Sequence, residues 1–204
     1  MKILAFTDIE SNKKQTLIIK DKVKKHNPDV VVFAGDLTFF GLDMEGMVKF
    51  LDSLNKTVVL VHGNHDDEIE LKVLCSKRKD LKFIHRKVFE LNEYMFIGYG
   101  GEGFDQRTKD MEDFMLKQDT TCKKVILVIH QPPYGTKLDP MPIYGHIGNK
   151  SVNKVIKKLK PLVVFVGHLH ENFRKKDYID SSLIVNPGQT GMIFNVWTYS
   201  ISVS

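Results

Sequence analysis

Val30-Val31-Val32-Phe33-Ala34-Gly35-Asp36 is a run of five apolar residues closed by a glycine and a carboxylate. An unbroken apolar run of this length predicts a strand buried on both faces, the kind found in sheets covered by helices on each side. The same construction recurs along the chain. Ile3-Leu4-Ala5-Phe6 leads to Asp8-Ile9-Glu10, and Val58-Val59-Leu60-Val61 leads to Gly63-Asn64-His65-Asp66. Val125-Ile126-Leu127-Val128-Ile129 leads to His130, and Leu162-Val163-Val164-Phe165-Val166 leads to Gly167-His168-Leu169-His170. Five buried strands that all finish in carboxylate, amide or imidazole describe one polar site assembled at one edge of a sheet.

The segments between these strands read as helices. A strand at about 2–7 precedes a helix at about 12–26 with Ser11-Asn12 as capping residues, and Pro28 closes that segment. A strand at about 29–34, a helix at about 43–54 and a strand at about 57–62 follow, then a helix at about 66–78 capped by Asn64 or Asp66. Residues 81–99 hold three short segments with a hairpin-like arrangement. A polar helix at about 107–120 feeds the strand at 124–129, and residues 131–149 form a long loop rich in Pro, Gly and Tyr. A helix at about 150–160 ends before Pro161, and the tail reads as strands at about 172–179, 182–186 and 193–201. The architecture this predicts is α/β, one domain over residues 1–204 with a second, partly antiparallel sheet.

Composition sets the outer limits. The chain has 204 residues, 42% hydrophobic and 27% charged, ordinary values for a folded domain with a sizeable core. No apolar run approaches the roughly 18 residues of a membrane-spanning helix, and the N-terminus meets a carboxylate too early for a secretory signal. Cys75 and Cys122 are too few for a disulfide framework, which fits the cytoplasm, and both read as inert helix or turn residues. The net charge of +5 is spread over lysine clusters that mostly lie on helical faces. It leaves a nucleic-acid or nucleotide partner open without an aromatic motif to support one, and it steers anionic substrates weakly.

The chemistry follows from the residue types. Side chains at i and i+2 of an extended segment share a side, so Asp8 and Glu10 face one metal and His168 and His170 do likewise. Asp36 has two oxygens with which to bridge two cations, Asn64 offers a carbonyl oxygen and His130 an imidazole. Such ligands suit Mn, Fe or Zn, with Ni and Mg as further candidates and manganese the expected ion. Two metals about 3.5–4 Å apart can activate a water and stabilise both ends of an in-line phosphoryl displacement. Any one piece alone reads more simply as a cap or turn residue; the combination carries the argument.

That combination resembles the calcineurin-like metallophosphoesterase superfamily, whose pattern D-x-H, GD, GNH-D/E, H, GH-x-H stands here between Asp8 and His170. His130-Gln131-Pro132-Pro133, His146-Ile147-Gly148 and Asn186-Pro187-Gly188 further resemble the small Icc-type predicted phosphoesterases of prokaryotes. The resemblance implies a four-layer α/β/β/α sandwich and a metal-dependent phosphoric ester hydrolase acting through a metal-activated hydroxide, with a phosphodiester favoured over a monoester. It implies one metal on Asp8, Glu10, Asp36 and His170, and a second on Asp36, Asn64, His130 and His168. It also implies that His65 is no ligand but contacts the phosphate and helps protonate the leaving group, with Asp66 orienting its ring. Asn64 and His146 join His65 as candidate substrate contacts. Glu10 departs from the family, which has His there. It either substitutes one ligand for another, adds a third negative charge that disfavours dianionic monoesters and favours a harder metal, or points away and leaves the first site weak. The rival reading is a binding or scaffold protein on the same fold.

Other features read as background. Gly98-Tyr99-Gly100-Gly101-Glu102-Gly103 fits G-x-G-x-x-G, but the preceding strands look like hairpins, so it reads as a flexible loop beside the site. His62 reads as a satisfied strand histidine, and His26 and His85 need no functional role. Phe39, Phe40, Tyr134 and Tyr144 are candidate apolar walls for a leaving group. Phe194, Trp197 and Tyr199 read as core or interface.

Overall fold

The computed structural model describes residues 1–101, 103–196 and 201–203. The first half alternates: β1 (Lys2–Phe6), α1 (Lys13–His26), β2 (Val30–Ala34), α2 (Met44–Asp52), β3 (Val58–Val61), α3 (Glu68–Ser76) and β4 (Leu81–Phe83). Then come β5 (Lys87–Leu91), β6 (Tyr94–Tyr99), α4 (Lys109–Met115) and β7 (Lys124–Ile129). The small hairpin β8 (Pro140–Met141) and β9 (Gly145–His146) follows, with α5 (Lys150–Leu159) and β10 (Val163–Phe165) behind it. A 3-10 turn at His170–Asn172 leads to β11 (Lys176–Ile179), β12 (Ser182–Val185), β13 (Met192–Val196) and β14 (Ile201–Val203).

Among the described residues two six-stranded sheets form, in the orders β14-β13-β1-β2-β3-β4 and β11-β12-β10-β7-β6-β5. In the first, β1 through β4 are parallel; in the second, β6, β7, β10 and β12 are. Alternation along each strand builds the layers. Ile3, Ala5, Val30, Val32, Val59 and Val61 face the second sheet and meet Phe96, Ile126, Val128 and Phe165 there. Leu4, Phe6, Val31, Phe33 and Leu60 point the other way, under α1, α2 and α3 with Ile19, Val48 and Leu71. Ile97, Leu127 and Val164 point outward under α4 and α5 with Met111, Val152 and Ile156. These are the four layers of an α/β/β/α sandwich, and burial on both faces is why the strands read as unbroken apolar runs.

The structure revises several local expectations. β4 does not belong to the hairpin of β5 and β6 but extends the first sheet parallel to β3. α3 is capped by Asp67, whose side chain accepts from the Glu70 amide, because Asp66 is engaged elsewhere. α4 stops at Met115, short of the expected span. The loop 131–149 contains β8 and β9. β6 and β7 are parallel with α4 between them, so the hairpin argument against a dinucleotide loop fails. A different one replaces it: Gly98 lies inside β6 against Ile84, and α4 opens only at Lys109, far from the glycines. Glu102, Trp197 and Tyr199 lie outside the described residues. Among those residues no helix is long and apolar enough to cross a membrane.

Candidate metal centre

The five polar turns follow the carboxyl ends of β1, β2 and β3 in one sheet and of β7 and β10 in the other. They are laced together by backbone bonds. The Asp8 amide donates to Gly35 O (2.9 Å), the Glu10 amide to Asp36 O (3.1 Å) and the Gly167 amide to His130 O (2.8 Å). Across the sheets, His130 Nδ1 donates to Ala34 O at 2.8 Å.

The side chains do not converge by the route expected from the sequence. Asp8 (φ 53°), Glu10 (φ 49°), Asp36 (φ 57°) and His168 (φ 72°) all adopt left-handed backbone, so extended i, i+2 geometry does not apply. Strain of this kind, of order 1–3 kcal/mol per residue, gathers at functional sites where the surroundings hold it. The motif glycines make room for the carboxylates. A Cβ on Gly63 would collide with Asp36 Oδ1, and one on Gly167 with Asp8 Oδ2.

Two groups of ligand atoms meet on Asp36. Asp36, His130 and His168 form one, and Glu10, Asp36 and His65 the other, with the atoms of each group within 4.8 Å of one another. His130 Nε2 lies 3.4 Å from Asp36 Oδ2 and 3.1 Å from Asn64 Oδ1. Glu10 turns inward: Oε1 is 3.3 Å from His65 Nδ1 and 3.6 Å from His170 Nε2, which is itself 3.7 Å from Asp8 Oδ1. Asp8 further accepts from the His168 amide at 3.0 Å. The structure thus gathers Asp8, Glu10, Asp36, Asn64, His65, His130, His168 and His170, and it sets His65 beside carboxylates, within ligand reach. His146 stands apart, its Nδ1 donating at 2.8 Å to the buried carboxylate of Asp139.

The residues fit divalent cations. His168 Nε2 is buried without a hydrogen-bond partner, and a buried polar atom in that state calls for a ligand. Burial opposes charge on Asp36, but the His130 imidazolium and the His65 amide outweigh it and hold the carboxyl at about 2. Burial likewise opposes charge on His130, but Asp36 outweighs it and raises the ring to about 9. Burial, with His130 adjoining, holds His168 neutral at about 3. Pairing with Asp8 raises His170, and burial raises Glu10. Asp36 thus favours the protonated form of His130, and a cation taking this imidazole as a ligand would have to displace that proton. Metal loading at pH 7 should release at least about one proton, and affinity should rise about tenfold per pH unit between pH 7 and 9. Calorimetry in buffers of different ionisation enthalpy measures this; zero release would show that His130 carries no proton for a cation to displace.

The supporting residues were only partly legible beforehand. Asp66 does not orient His65; its carboxylate accepts from the amides of Leu37, Thr38 and Gly63 and from Thr38 Oγ1, clamping the second motif to the third. His62 is buried with Nδ1 unpartnered, so it is not a satisfied strand histidine, and burial pushes it down to about 3. Cys75 is buried in α3 and its thiol is pushed up to about 12, in keeping with inertness. Phe104, missed in the sequence, lays its ring 4.8 Å from that of His168.

The family profile described as calcineurin-like phosphoesterase matches residues 1–172. An uncharacterized protein of Methanocaldococcus jannaschii is 29% identical over 199 residues, covering 92% of this chain and 88% of its own. Among solved structures, a novel archaeal phosphodiesterase aligns with a TM-score of 0.63 at 18% identity, covering 100% of this chain and 99% of its own. A dimetal phosphatase from Danio rerio aligns with a TM-score of 0.69 at 11% identity, covering 100% and 95%. At these identities the two structural likenesses speak to the fold.

Proposed function

This chain belongs to the calcineurin-like phosphoesterase family and is a metal-dependent phosphoric ester hydrolase, and from that premise we propose that it prefers phosphodiesters to phosphomonoesters. The observation that carries the preference is the inward turn of Glu10, whose Oε1 lies 3.6 Å from His170 Nε2. Asp8, Glu10 and Asp36 then bring three negative charges to the centre, one more than the family pattern supplies. A centre nearer neutrality loses attraction for a dianionic monoester more than for a monoanionic diester. The same hard carboxylates favour manganese.

Asp8, Glu10, Asp36 and His170 would hold one cation, and Asp36, Asn64, His130 and His168 the other. When bound, the pair supplies an acidified water and takes up charge on the phosphoryl oxygens. The chain's own groups do the rest. Asp36 spans both positions, with Oδ1 held by the His65 amide at 2.9 Å. Asp66 keeps the second and third turns in register, so the ligands are set before substrate arrives. His65 contacts the phosphate and protonates the departing alkoxide. Its ring is steadied by Phe40, stacked at 4.1 Å and 24°.

The test is hydrolysis of bis-p-nitrophenyl phosphate and p-nitrophenyl phosphate by metal-stripped protein reloaded with Mn, beside a chelator control. Expected is turnover that returns with Mn and favours the diester. Preference for the monoester would overturn the charge argument. Silence with both substrates, together with fewer than two bound metals by calorimetry, would favour a scaffold on the same fold.

A further inference from the structure

Exposed aromatic side chains gather around this centre. Phe39 and Phe40, in the turn after Asp36, are 52% and 69% exposed, Phe104 is 61% exposed and Tyr144 72%. Soluble proteins leave apolar side chains exposed singly, whereas a contiguous group marks a binding surface. Phe40 (φ 47°) and the fully exposed Ile143 (φ 73°) also sit in left-handed backbone, which costs free energy for residues with a side chain.

Resting on the phosphodiester reading above, we propose that the site has two aromatic-walled subsites, one on each side of Asp36, which hold the two organic arms of the ester, each arm carrying a flat ring. The first wall is Phe40 with Phe39, whose rings lie 4.9 Å apart and 4.1 and 5.8 Å from the His65 ring. The second is Phe104, 4.8 Å from the His168 ring, and it opens into a cavity of about 360 Å³ that Met141, Tyr144 and Ile147 complete. His65 groups with Glu10 and Asp36, and His168 with Asp36 and His130, so the walls flank the shared carboxylate. A monoester has one organic arm and a diester two; two walls match the diester. The cavity is at the small end of ligand pockets, which suits a ring and its linker and not a polymer. Its lining offers rings and methyl groups with little hydrogen-bonding capacity, so it recognises an arm by stacking and tolerates different rings.

The experiment compares kcat/KM for bis-p-nitrophenyl phosphate and methyl p-nitrophenyl phosphate on the Mn-loaded protein. Both release the same phenolate and differ only in the arm retained. Wild type should favour the two-ring ester about tenfold, the worth of one stacked ring. Phe40→Ala and Phe104→Ala should then separate. Loss of the wall that holds the retained arm brings the two constants together; loss of the other lowers both by the same factor, about tenfold. Phe104→Leu, which keeps apolar bulk without a flat face, should behave like Phe104→Ala. A wild-type ratio near one, or wild-type constants in both alanine variants, would overturn the proposal. If neither ester is turned over, calorimetry with diphenyl phosphate and dimethyl phosphate decides the walls apart from the reaction reading: tighter binding of the diphenyl ester supports them and equal binding overturns them.

Discussion

Asp36→Asn is expected to lower turnover by at least about 10³-fold and to remove bound metal, because Asp36 belongs to both groups of ligand atoms and the cations it would help hold would supply several kcal/mol of charge stabilisation at the phosphoryl group. Asparagine keeps the shape of the side chain and an oxygen to accept the His65 amide, so the fold is preserved while the negative charge is lost. Metal content by elemental analysis and turnover should fall together, with the melting temperature of the metal-free protein as the check on folding. Both variants take from the buried His130 its carboxylate partner at 3.4 Å, and Asp36→Ala should additionally leave the His65 amide without its acceptor. Retained activity in a preparation with verified metal content would refute the assignment of Asp36 to both groups.

The second large effect concerns His65. His65→Ala should slow hydrolysis of an alkyl phosphodiester about 10²–10³-fold, the usual worth of a positioned general acid, while both metals stay bound. With a p-nitrophenyl leaving group, which departs without a proton, the loss should be much smaller; that contrast is the signature of proton donation. The structure makes the metal measurement decisive, since His65 Nδ1 lies 3.3 Å from Glu10 and 3.9 Å from Asp36, close enough to ligate. Loss of metal in this variant would show His65 to be a ligand.

Much of the architecture was legible because burial on two faces leaves a plain mark. Ile3 through Phe6 and Val30 through Ala34 are almost uniformly apolar since Ile3 and Ala5 face the second sheet while Leu4 and Phe6 face helices. The start of α1 was legible because Asn12 caps it through the amides of Lys14 and Gln15. The start of α3 was not: Asp66 and Asp67 are adjacent carboxylates, and only long-range bonds from Leu37 and Thr38 to Asp66 leave the cap to Asp67. Strand pairing was misread at β4 for a related reason. A three-residue segment carries too little pattern to name its neighbour, and its place beside β3 depends on the packing of α3.

The sequence by itself determined which residue types would stand at the strand ends and that they would share a site, since a carboxylate or imidazole after a buried strand has nowhere to go but the sheet's edge. The tertiary structure decided how they face one another: left-handed turns at Asp8, Glu10, Asp36 and His168, Glu10 turned inward, and Phe40 and Phe104 against two of the imidazoles. Those orientations are set by contacts between turns far apart in the chain, such as the Asp66 bonds to Leu37 and Thr38 and the Asp8 bond to His168. Local propensity has no knowledge of such partners, because the strain they impose is held only by the assembled sheets.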